Sequence, residues 1–169
     1  MGGTTSQRGD ARAHAVLIAA DVGGTHARIA LIEAGPAGGD FAIVEYRKYA
    51  CADYPSLAAI IEAFRAEARG GAADRIALAV AGYVIDDAVV NVNLPWPISI
   101  SNLRASLYIG ELAIVNEVEA VAHAIGHVDD SAAVLLSGPS RASLQGPVLV
   151  VGPGTGLGAA LRLPNGVRP

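Results

Sequence analysis

The sequence predicts an α/β layered domain built on a mixed sheet, and three observations carry that expectation. Two apolar runs flank a glycine pair in VLIAADVGGTHARIALIEA, residues 16–34, and a turn signal between two such runs reads as a hairpin of strands. Short, continuous apolar segments recur at residues 76–81, 112–115 and 148–152. Between them lie segments with helical spacing of apolar residues. Strands alternating with helices give a sheet whose first two strands pair as a hairpin and whose later ones enter by helical crossovers.

Taken in order, residues 1–14, MGGTTSQRGDARAH, are polar, aperiodic and without the apolar core of a signal peptide, so a disordered tail is expected. The small-residue cluster at 34–39 is a turn between the second strand and a third over residues 41–49. From Pro55 onward, Leu57, Ile60, Ile61 and Phe64 form a stripe, with Glu62, Arg65 and Glu67 off it. That is an amphipathic helix, with Pro55 in its first turn and Gly70 and Gly71 ending it. A buried strand over 76–81 follows, then a helix over 100–108 capped by Ser99 or Ser101, a strand over 112–115 and a helix over 118–125.

Composition narrows the function classes. A chain of 169 residues, 52% hydrophobic and 17% charged, is globular and long enough for a substantial core. No apolar run approaches a membrane span. A net charge of −4 with no Lys and Arg cluster leaves no footprint for nucleic acid. The single cysteine, Cys51, excludes an intramolecular disulfide and reads as a small buried or loop thiol. His14, His26, His123 and His127 lack the spacing and partners of a metal set.

The chemistry concentrates in DVGGT. Gly23 and Gly24 can take backbone angles closed to other residues, turning main-chain N–H groups toward an anion. Thr25 adds a hydroxyl, and the Asp21 carboxylate at the strand end can hold a hydrated Mg²⁺. The same residues also read as an ordinary hairpin turn. A second glycine-rich stretch, GPGTGLG at 152–158, follows a strand but is not a dinucleotide-binding fingerprint, because LGAALRL alternates like a strand where a helix is required.

DVGGTHAR with its flanking strands resembles the first phosphate motif of the bacterial glucokinases, sugar kinases of the hexokinase and actin-like ATPase superfamily. The likeness continues in order through CADYPSLAAIIEAF at 51–64, LAVAGYVIDDAVVNVNLPW at 78–96, LAIVNEVEAVA at 112–122 and VLVVGPGTGLGAA at 148–160. It implies a ribonuclease-H-like, actin-like ATPase domain with a mixed sheet and flanking helices, the N-terminal domain of a two-domain kinase. The small kinase domain would occupy residues 15–146 and the start of a second domain residues 147–169.

What the resemblance implies for function is ATP-dependent phosphorylation of glucose at its 6-hydroxyl in the cytoplasm, with ATP and Mg²⁺ as cofactors and with room for a homodimer. Asp21, Gly23, Gly24 and Thr25 would face the phosphates, with Asp21 reaching Mg²⁺ through water, and Gly154, Thr155 and Gly156 would form a second phosphate turn. Asn93 and Asn116 would bind sugar hydroxyls, and Glu117 would contact the sugar as the base that accepts the hydroxyl proton. Asn93 also reads as a turn residue before Pro95, and Trp96 as a packing residue.

Three positions depart from the family pattern: His26 replaces an asparagine, Tyr83 a proline and Glu117 an aspartate. Glutamate keeps the charge but adds a methylene, and a displacement of about 1 Å can cost on the order of a hundredfold in rate. Glu117 is therefore either a working base or the mark of an impaired or repurposed kinase. The family's remaining sugar and adenosine segments lie downstream of the second phosphate motif, so the chain alone is expected to be inactive. Its last two strands are expected to have little but each other to pair with. The alternative is a non-catalytic, kinase-derived sugar-binding or regulatory module.

Overall fold

The computed structural model describes residues 15–35, 41–69, 73–90, 93–128, 131, 133–138, 146–153, 156–164 and 166–168. The expected tail at 1–14 and the helix-ending Gly70 and Gly71 lie outside them. Strand β1 (Ala15–Val22) turns into β2 (His26–Ala34), and β3 (Phe41–Ala50) follows. A 3-10 turn over Cys51–Asp53 leads to α1 (Leu57–Glu67) and β4 (Arg75–Val80). These form one five-stranded sheet with β8 (Glu111–Asn116), in the order β3-β2-β1-β4-β8. β1, β2 and β3 pair antiparallel while β4 and β8 join in parallel, which is the mixed sheet that the sequence predicts.

One face of this sheet holds the core. Ile18, Ala20 and Val22 alternate inward along β1, and Ile76, Leu78 and Val80 do the same along β4. The stripe Leu57, Ile60, Ile61 and Phe64 of α1 is closed from water against that core, each large side chain contributing about 1.5–3 kcal/mol by burial. Ser56 caps α1, its hydroxyl accepting from the Ala59 amide at 3.2 Å. Pro55 therefore precedes the cap and is not in the first turn, because a side-chain acceptor at position 56 meets the orphan N–H groups better than proline. Arg65 binds the assembly crosswise, donating to the Leu107 carbonyl at 2.8 Å and to the Ala73 carbonyl at 2.6 Å.

Between β4 and β8 the chain builds a small sheet of β5 (Tyr83–Ile85), β6 (Ala88–Val90) and β7 (Ile98–Ser99) before α2 (Ile100–Leu107). Ser99 caps α2 through the Asn102 amide at 3.2 Å. Asp87, in the β5–β6 turn, accepts from the Ser101 hydroxyl at 2.6 Å, the Ser99 hydroxyl at 2.7 Å and the Ser101 amide at 2.8 Å. These donors hold its carboxyl below the usual carboxylate range and fasten the turn to the start of α2.

Helix α3 (Glu117–Ala124) leaves β8 and lays Val118 and Ala122 on a third sheet, ordered β11-β10-β9, of β9 (Val148–Pro153), β10 (Leu157–Leu163) and β11 (Gly166–Arg168). The expectation that the last two strands have only each other is thus revised: β11 adds a third strand, and α3 covers one face around Ala160. Leu149, Val151, Leu157 and Leu161 stand on the exposed side.

At the end of β3, Tyr49 is buried and donates its hydroxyl to Glu67 at 3.2 Å. Burial and the neighbouring Glu67 carboxylate push its pKa up to about 12. A group that holds its proton more tightly when folded stabilises the fold fully below its ordinary value of 10.0, and that contribution disappears as pH rises through about 12. Denaturant unfolding followed from pH 9 upward is expected to show an alkaline loss on the order of 2 kcal/mol that Tyr49→Phe removes. Identical alkaline limbs in the two proteins would assign the loss to other groups.

Candidate functional site

The candidate site lies along the edge where the parallel strands end. Val22 of β1 is in register with Val80 of β4, and Val80 with Asn116 of β8. Adjacent strands lie about 4.8 Å apart, so the turn after Val22 and the Asn116–Glu117 step are separated by roughly 10 Å. Strand ends of this kind are where ligands collect in α/β sheets.

In the first turn, the Gly23 amide donates to the His26 carbonyl at 3.0 Å, and Cys51 donates its amide to the Thr25 carbonyl at 2.9 Å. Thr25 is exposed, with its hydroxyl 3.1 Å from Nδ1 of His26. The glycines are not there for unusual angles: among the described residues the left-handed glycines are Gly138 and Gly166, and neither Gly23 nor Gly24 has such a φ. Gly24 is needed for space. A Cβ on it would sit 2.5 Å from the Asn93 carbonyl oxygen.

Asp21 projects from β1 directly opposite Arg28 of β2, and the two form an ion pair at 2.8 Å with both side chains half exposed. The sequence reading gives Asp21 a role and leaves Arg28 out. The pairing follows from the register, in which Val22 faces Ala27 across the four residues 23–26 and residue 21 therefore faces residue 28. Arg28 thus sets a guanidinium on the Asp21 carboxylate, on the strand pair that carries the turn. For a cation, one carboxylate and one hydroxyl are oxygen donors that suit Mg²⁺ retaining most of its water, held by Asp21 through that water. Among the described residues no group of three or more His, Cys, Asp or Glu could enclose a metal.

Asn93 follows β6 as an exposed residue pressed on Gly24 by its own carbonyl. Trp96 is buried and donates its indole N–H to the Cys51 carbonyl at 3.4 Å, the packing role expected of it. Asn116 does more structural work than the sequence suggests. Its Oδ1 accepts from the Val118 amide at 2.9 Å, capping α3, and its Nδ2 donates to the Gly82 carbonyl at 3.2 Å. An asparagine immediately before a helix is a cap signal that the sequence offers. Glu117, the first residue of α3, is exposed at the same edge, and an acid in a first turn interacts favourably with the helix dipole. Tyr83 is exposed beside Gly82 at the start of β5.

Of the second phosphate turn, Gly154 and Thr155 lie outside the described residues, and Gly156 is an exposed bend. The next glycine has a separate duty. A Cβ on Gly158 would lie 2.3 Å from Cγ2 of Val118, the residue after Glu117, while one on Gly152 would touch the same methyl at 3.5 Å. The start of α3 is therefore fixed from two sides, by the Asn116 cap and by a valine seated on two glycines.

The glucokinase family model matches residues 18–168. A glucokinase-like protein of Xylella fastidiosa is 44% identical over 154 residues, which are 90% of this chain and 45% of that protein. The crystal structure of a glucokinase from an Antarctic psychrotroph superposes with a TM-score of 0.80 at 29% identity, over 92% of this chain and 49% of the other. A Balamuthia mandrillaris glucokinase in complex with glucose gives a TM-score of 0.70 at 22% identity, over 95% of this chain and 48% of the other, and shares the fold. The fold is thus the α/β actin-like ATPase domain with mixed sheet and flanking helices, the N-terminal domain of a two-domain kinase. The chain spans about half the length of the relatives that it matches.

The Val118 seat yields a prediction. Valine is stiff at χ1, so it cannot swing its methyl clear of a new side chain at 158. Gly158→Ala is expected to cost roughly 1–3 kcal/mol by overpacking, and Val118→Ala in the same chain should return most of it. Urea melts of the single and double variants give the coupling directly. Additive losses would mean that the two residues do not share the strain.

Proposed function

We propose, for a chain that belongs to the glucokinase family, that it contributes the base-bearing side of a cleft in which the γ-phosphoryl group of ATP passes to the 6-hydroxyl of glucose. Glu117 accepts the hydroxyl proton as the oxygen attacks, and Asn93 and the free N–H of Asn116 orient the sugar. Asp21, Gly23, Gly24 and Thr25 form the phosphate side, with Arg28 beside them, and Gly154, Thr155 and Gly156 form the second phosphate turn. Bound Mg²⁺ supplies charge neutralisation on the phosphates. The family also points to a cytoplasmic enzyme.

The observation that supports this reading best is the register row Val22, Val80, Asn116. It sets the Gly23–Thr25 turn and an acid at one strand edge, roughly 10 Å apart, on rigid elements. Phosphoryl transfer asks for little else from a protein than positioning and charge. The added methylene of Glu117 is accommodated at the first position of α3, where the side chain is exposed and has rotamers to choose from.

The experiment is ATP-dependent formation of glucose 6-phosphate, comparing the parent sequence with Glu117→Gln in a protein that also carries a downstream half like that of the relatives. Loss of a general base is expected to lower kcat by about 10²–10⁴ and leave KM for glucose nearly unchanged. Equal kcat in the two proteins would put the base elsewhere. Glucose binding without turnover in the parent would favour a non-catalytic sugar-binding or regulatory module, the reading that the glutamate at this position would then signify.

A further inference from the structure

The kinase reading leaves two buried residues without a task, Cys51 and Trp96, and both lie between the phosphate turn and the segment that carries Asn93. The turn and the segment touch directly. A Cβ on Gly24 would stand 2.5 Å from the Asn93 carbonyl oxygen and 3.0 Å from Asn93 Cβ, whereas one on Gly23 would meet only the His26 carbonyl oxygen, at 3.6 Å. The first obstacle is backbone, which cannot rotate aside, so a methyl group at 24 has to displace the Asn93 segment or the turn. The second is ordinary contact.

A separate connection runs through Cys51. Its amide donates to the Thr25 carbonyl at 2.9 Å and its thiol to the Gly23 carbonyl at 3.4 Å. Its own carbonyl accepts from Trp96 Nε1 at 3.4 Å. Cys51 is fully buried and Trp96 nearly so, so these bonds cannot be exchanged for water without leaving polar groups unpaired. Burial also pushes the thiol pKa up, which keeps it a proton donor. The turn is thus held to the 93–96 segment at both ends of that segment, by contact at Asn93 and by hydrogen bonds at Trp96.

We propose that Gly24, Cys51 and Trp96 join the phosphate turn and the Asn93 segment into one mechanical unit, so that an anion settling on the turn resets Asn93 and tightens its hold on sugar. Cys51 is a positioning residue, acting through the turn and the segment that it supports, while Gly24 belongs both to the phosphate side and to the joint. Linkage makes the effect reciprocal: sugar tightens the anion by the same factor. The identity of the two ligands rests on the kinase reading, but the mechanical joint does not.

Trp96 is the only tryptophan of the chain, so its emission reports on the joint without a label. The chain is titrated with magnesium tripolyphosphate, with glucose, and with glucose at saturating tripolyphosphate. Tripolyphosphate is expected to change Trp96 emission and to lower the glucose Kd about fivefold or more, a usual size for coupled sites. Gly24→Ala should lose both effects while keeping the parent's circular dichroism.

Should Gly24→Ala fail to fold, Cys51→Ala and Cys51→Ser decide, because serine keeps a donor to Gly23 and should retain the anion effect while alanine loses it. Unchanged parental emission at every tripolyphosphate concentration overturns the proposal, as does an intact anion effect in Gly24→Ala or in folded Cys51→Ala. An emission change that Gly24→Ala abolishes, in a protein that does not bind glucose even when it carries a downstream half like that of the relatives, would sustain the joint and sink the sugar reading.

Discussion

The double pairing of β1 is the constraint on which the rest of the structure depends. Antiparallel to β2 on one side and parallel to β4 on the other, it fixes which residues face the core along three strands at once. A slip of one residue would turn Asp21 inward and Val22 outward and would break the row from Val22 to Asn116. The inward row Ile18, Ala20 and Val22 is closed by α1, and this burial resists the slip. Core packing therefore decides that the Gly23–Thr25 turn and an acidic helix start share one edge.

Periodicity made the large elements legible. The runs around DVGGT, the stripe of α1 and the short apolar strands all follow patterns that burial on one face imposes, and the structure contains them within a residue or two of the expected bounds. The small β5-β6-β7 sheet was not legible as such. Strands of two or three residues carry no period, and what holds them is the Asp87 cluster, whose partners lie a dozen or more residues away. The site was half legible for a related reason. Sequence spacing identifies a glycine pair but not its neighbour, so Gly24 reads as a hinge of unusual angles when its hydrogen is there to make room for Asn93.

The departures from the family pattern each acquire a physical setting. His26 is within hydrogen-bonding distance of the Thr25 hydroxyl, so an imidazole stands where the Gly23–Thr25 turn ends. Tyr83 stands in solvent next to the residue that Asn116 holds, and its backbone N–H, which a proline would lack, is available to the β5–β6 ladder. Glu117 differs from aspartate in reach alone, and the cap beneath it is an asparagine side chain bound at both ends.

The seat of Val118 on Gly158 has a consequence for how the molecule is assembled. Residues 116–118 belong in sequence to the first sheet, yet the contact that completes their position comes from a hairpin made much later in synthesis. Non-local contacts of this kind form late, after the loop between them has been closed at an entropic cost. The first sheet can thus reach its final pairing while the acid at the start of α3 is still unsettled. The acid at the start of α3 thus takes part of its support from the outer hairpin, and loses that part when the hairpin opens.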